Sequence, residues 1–178
     1  MTQTADPRDR RPAVELPTLG LILACTGLWA AITAFAGPLT PWLAVSGLAV
    51  CLALHSSLQH EALHGHPTRL PWLNAALVFP AVGLFVPYER FRTLHLAHHR
   101  DAVLTDPHDD PESNYLDPAV WAGLPPAARC LLAANNTLAG RILIGPAIGM
   151  AVFLWRDGRA AAVGDRAVLR AWALHALG

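Results

Sequence analysis

The side chains best suited to chemistry in this sequence are its histidines, and five of the nine stand in two tight groups. His95, His98 and His99 occupy i, i+3 and i+4 in the run His95-Leu96-Ala97-His98-His99-Arg100-Asp101. On a helix that spacing lays all three imidazoles on one face. Thirty residues separate this group from His60 and His64, which repeat the i, i+4 relation. Neutral imidazole is the commonest metal ligand, so two such faces turned toward each other could enclose a metal centre. His60-Glu61-Ala62-Leu63-His64 also matches H-E-x-x-H, in which a helix presents two zinc ligands and a glutamate general base. A zinc protease needs one more ligand and gains nothing from a second, three-histidine group. Two metals need many more ligands, and the joint pattern already offers five. All-nitrogen ligation suits iron, while zinc and copper also bind imidazole.

The elements that must position these groups read as membrane-embedded helices. Hydrophobic residues make up 53% of the 178 residues and charged residues 15%, with a mean hydropathy of +0.34. Thirteen basic residues, all arginine, balance thirteen acidic ones, and no basic stretch is interleaved with aromatics, so no nucleic acid partner is expected. Cys25, Cys51 and Cys130 form no CxxC pair and read as small buried hydrophobes in a reducing compartment. Residues 1–15, with Arg8, Arg10 and Arg11, read as a disordered cytoplasmic arm. From 16 to 54 the only ionisable side chains are two cysteines, a run long enough for two spans of about 20 residues. Gly37-Pro38-Leu39-Thr40-Pro41 breaks it, which predicts a transmembrane helical hairpin over roughly 19–36 and 42–59, with Trp42 at the far interface. The hairpin returns the chain to the side of the arginine arm, which is cytoplasmic by the positive-inside rule. A secretory leader is the rival reading, but the apolar run is too long and Asp6, Asp9 and Glu15 spoil its basic start.

Residues 70–88 are uncharged but punctuated by Pro71, Asn74, Pro80 and Pro87, and an interfacial or re-entrant segment is expected there. The Asp-, Pro- and Glu-rich stretch 101–128 reads as a cytoplasmic loop. Asn135, Asn136 and Arg141 make 131–155 a poor lipid-exposed span, so a membrane-surface helix is expected, with a further span starting near Leu169 and cut off at Gly178. The fold class is therefore an all-α membrane protein.

HEALHGHP at 60–67 and RTLHLAHHRDAVLTDPHDDPES at 92–113 resemble the first and second histidine boxes of membrane fatty acid desaturases. The similarity covers roughly 55–118. It implies a di-iron centre (two iron ions) at the cytoplasmic membrane face that activates O2, with His60, His64, His95, His98 and His99 as the iron ligands. It further implies a lipid or fatty acyl substrate and an external electron donor such as ferredoxin or a cytochrome b5-like protein. No flavin, haem-attachment or iron–sulfur motif is found that would supply electrons internally. Related hydroxylases and ketolases share these boxes, so desaturation and hydroxylation stay open.

The family's third box, another H-x-x-H-H, does not follow His108. We therefore expect residues 16–178 to be an incomplete desaturase-like domain, the N-terminal portion of a longer protein and incompetent alone. His175 is either the family's additional ligand between the second and third boxes or a packed interfacial histidine. Because a ligating histidine donates its other N–H to a carboxylate or carbonyl, Glu61, Asp101, Asp106 and Glu112 are candidate supporting groups. Asp101 comes first because it adjoins the box; the alternative is a surface acid paired with Arg100. His66 reads as a solvated turn residue, His55 as a packed or hydrogen-bonded interior one and His108 as exposed. Arg90, Arg92 and Arg100 form a basic patch that would dock an acidic electron donor, bind lipid phosphates or signal topology. Two other readings stand beside the oxidase: an intramembrane zinc protease built on HEALH, and a haem-binding or inert truncated membrane protein.

Overall fold

The computed structural model describes residues 12–79, 83, 85–100, 106, 108 and 115–177. Among them the regular structure is helical, with one isolated bridge between Val14 and Thr68. The chain forms two compact units that divide between Leu84 and Phe85.

In the first unit, α1 (Leu16–Ala34) and α2 (Pro41–Leu63) each open with proline in the first turn, where its missing N–H costs nothing. At 19 and 23 residues they are about 28 and 34 Å long, enough for a hydrocarbon core of about 30 Å. Only 11% and 22% of their most apolar windows are buried. Leu23, Leu28, Leu43, Val45 and Val50 instead point outward. A core helix of a soluble protein would hide such a face, so these are two candidate membrane spans. Small groups line their contact: the Cys25 thiol donates to the Cys51 carbonyl at 3.4 Å, and Gly47 lies so close to Ile32 that a Cβ would meet it at 2.8 Å. Cys25 and Cys51 are buried as expected, but Cys130 is exposed.

The hairpin differs from the expected limits at both ends. α1 starts at Leu16, and α2 runs on past position 59 as one helix through His60 to Leu63. Of the expected disordered arm, residues 1–11 lie outside the described residues; its last residues are tied down. Val14 pairs with Thr68, and the Glu15 amide donates to the Pro67 carbonyl at 2.8 Å. The fully buried Asn74 of α3 (Pro71–Val78) accepts from the Thr68 amide and hydroxyl and donates to its carbonyl, at 2.7–2.9 Å. Satisfying the amide locally is what lets it be buried. The eight residues of α3 span about 12 Å, and residues 80–82 and 84 of the expected interfacial segment lie outside the described residues.

The second unit holds α4 (Tyr88–His98), α5 (Pro118–Gly123), α6 (Pro126–Asn135), α7 (Leu138–Leu143), α8 (Gly145–Ala162) and α9 (Arg166–His175). The single surface helix expected over 131–155 is thus broken into pieces. Asn136 closes α6, and the Thr137 hydroxyl caps α7 by accepting from the Gly140 amide at 3.0 Å. Gly140 presses on the end of α6, where a Cβ would sit 2.0 Å from the Ala134 carbonyl. Asp117 caps α5, and the Ala119 amide donating to it at 2.6 Å holds its carboxyl below the usual range, with help from Val120 and His108. Asp165 caps α9, which begins before Leu169 and is amphipathic: Val168 and Ala171 are buried, Arg166 and Arg170 exposed. Its ten residues cover about 15 Å.

Candidate metal centre

Each histidine group occupies the C-terminal end of a helix. His60 lies in the last turn of α2 and His64 is its C-cap. The chain leaves through Gly65 at φ +95°, with Gly65 N–H bonded to the Ala62 carbonyl and His66 N–H to the Glu61 carbonyl. This Schellman closure needs a residue without Cβ in the left-handed region, which explains Gly65 directly after the pair. The His60 and His64 ring centroids are 4.6 Å apart, and their ligand nitrogens lie within 4.8 Å of one another.

The second group repeats the design on α4. His95 and His98 lie in the last turn and His99 is the C-cap, its N–H bonded to the His95 carbonyl at 3.1 Å. The His95 and His99 rings are 4.6 Å apart edge to face, while His98 stands 6.2 and 5.8 Å from them. Phe91 stacks on His95 at 5.6 Å. The Nε2 atoms of His95 and His99 approach to 2.9 Å. That separation fits two nitrogens bound at right angles to one metal at about 2.0–2.1 Å. It equally fits a neutral pair in which one ring donates and the other accepts. At both helix ends the aligned peptide dipoles present partial negative charge, which favours a cation. The donor set of each group therefore suits an imidazole-bound metal.

The expected supporting acids fare unevenly. Asp101 and Glu112 lie outside the described residues. Glu61 is exposed, and its Oε1 is 3.7 Å from His60 Nδ1, beyond hydrogen-bond reach. Asp106 accepts from the His108 amide at 2.8 Å. His108 is exposed, as expected. His55 is buried at 5% exposure, packed without a hydrogen bond to Nε2 among the described residues. His66 is not a solvated turn residue: its Nδ1 lies 2.6 Å from Glu15 Oε2, and both side chains are about three-quarters buried. His175 ends α9 with its ring edge-on to Trp172 at 5.9 Å.

The basic patch also needs correcting. Arg90 is not available for docking, because its guanidinium grips the buried carboxylate of Asp157 on α8, with Nη2 donating to Oδ1 at 2.7 Å and Nε to Oδ2 at 2.9 Å. Trp172 Nε1 donates to the same Oδ2 at 2.8 Å. Arg100 turns back to bond the Leu96 carbonyl at 2.9 Å, and Arg92 lies 3.9 Å from Glu89. Sequence reasoning missed Asp157 and Trp172 altogether; the only available hint was an acid flanked by Arg156 and Arg159 at the end of an apolar run.

Exposed apolar helices of spanning length, joined to imidazole groups at helix ends, define an all-helical membrane-associated protein with the donor set for a metal. The sequence matches the fatty acid desaturase family over residues 36–178, and the chain belongs to that family. Comparison with the curated proteins and with solved structures gave no match.

Proposed function

We propose that this chain belongs to an O2-dependent di-iron lipid oxidase, with fatty acyl desaturation as its reaction. The observation that supports the reading is the matched pair of helix-end imidazole groups, on α2 and on α4, in a chain of the desaturase family. His60, His64, His95, His98 and His99 would hold the iron, His175 is a further candidate, and the C-terminal carbonyls of α2 and α4 favour its charge. Bound iron would supply the activation of O2 needed to attack an unactivated C–H bond. The balance is one acyl CH2–CH2 unit, O2, two electrons and two protons giving CH=CH and two waters. The electrons come from an external donor of the ferredoxin or cytochrome b5 type. The apolar faces of α1 and α2 keep the surroundings in lipid, with the histidines at the cytoplasmic face.

The test is iron content per chain after purification in detergent, paired with mass spectrometry of cellular fatty acyl chains. His95→Ala and His99→Ala should each lose most of the bound iron and any new unsaturation, whereas Glu61→Gln should retain iron. Loss of peptide cleavage in Glu61→Gln, with His98→Ala unaffected, would instead establish the HEALH protease.

A further inference from the structure

We infer that Asp157 is a positioning residue: one buried carboxylate fixes, from behind, the helix that displays His95, His98 and His99, and fixes α9 with His175 as well. This rests on the reading of those histidines as metal ligands.

The Asp157 side chain is 3% exposed and that of Arg90 15%. Oδ1 accepts from Arg90 Nη2 at 2.7 Å and Nε at 3.1 Å; Oδ2 accepts from Nε at 2.9 Å and from Trp172 Nε1 at 2.8 Å. The forked geometry leaves the guanidinium little freedom to rotate. Arg90 precedes His95 by five residues, about 7.5 Å along α4 and about 140° around it. The anchor therefore holds the rear of the helix while His95 and His99 occupy the front and His98 the flank, about 80° from Arg90. A slip of one residue in the anchored register would swing them by about 100°. Trp172 stands three residues before His175 and packs against its ring, so the same carboxylate sets both elements.

Stability alone does not account for this trio. A buried ion pair is often no more stable than an apolar replacement of equal volume, and fixing register is its best-attested use. Phe153 already packs on Trp172 at 6.3 Å, so an apolar contact between α8 and α9 exists without the carboxylate.

The experiment titrates the full 178-residue chain in dodecyl maltoside micelles with Co2+ alone, reading the visible d–d absorption for affinity and ligand geometry and far-UV circular dichroism for folding. Asp157→Asn keeps the volume but turns an amide NH2 toward the Arg90 fork. It should keep its helix content, lose about tenfold in Co2+ affinity and change the band shape at saturating Co2+. Trp172→Phe and Arg90→Lys remove one part each and should weaken binding by about threefold, with a smaller spectral change. A folded Asp157→Asn with the parent's affinity and spectrum would overturn the inference. If that variant does not fold, unchanged affinity and spectrum in both Trp172→Phe and Arg90→Lys would overturn it equally. His95→Ala is the control: if it binds Co2+ as the parent does, the ligand assignment fails, and the inference with it.

Discussion

His64 and His99 each do two things, closing a helix through the backbone and presenting an imidazole to the histidine four residues back. Anything that disturbs such a cap moves a ring. His66 shows how a neighbouring histidine serves another purpose: bonded to Glu15, it ties the start of α1 to the turn after α2. Glu15→Ala should lower unfolding free energy by about 1 kcal/mol and speed amide exchange in the first turn of α1. Unaltered exchange there would show that the Val14–Thr68 pairing suffices without the acid. The spacing of the box histidines was legible because i, i+3 and i+4 are local facts. The Glu15–His66 bond was not, since its partners stand 51 residues apart and neither carries a local signal for the other.

At the level of elements, α2 is the informative helix. Its apolar run and the break at Gly37–Pro41 were readable in the sequence. Its true end was not, because hydropathy falls at His60 while helical geometry continues to Leu63. Gly65 decides where it stops. Gly65→Ala has open space around the added methyl but must keep φ near +95°, a strain of about 1–2 kcal/mol for an L side chain. It should lower the melting temperature and weaken Co2+ binding at the His60–His64 end, and a variant indistinguishable from the parent in both would remove the Schellman closure from the account of the site. The breaks within 126–162 were not legible because Asn135, Asn136 and Arg141 read as polarity against a lipid-exposed span, whereas Asn135-Asn136-Thr137 carries a local signal. The triplet acts as a stop for α6 and a cap for α7.

For the whole molecule, family and helical class were both legible, the first from two boxes and the second from composition. The Arg90–Asp157–Trp172 trio lay beyond reach, because no periodicity links side chains 67 positions apart. The proposed topology puts both boxes in the cytoplasm. Single cysteines replacing Arg69 and Arg92, probed with a membrane-impermeant maleimide, should therefore label from that side alone; labelling from opposite sides would end the shared-centre reading. The same long separation has a consequence for biosynthesis. The hairpin can close as soon as Cys51 follows Cys25 out of the ribosome. Helix α4 must wait for a residue 67 positions later, about 3–13 s at ordinary elongation rates of about 5–20 residues per second. Through that interval three histidines are synthesised ahead of the carboxylate that braces their helix, so on the proposed ligand reading the choice of metal would depend on what the nascent chain meets before Asp157 arrives.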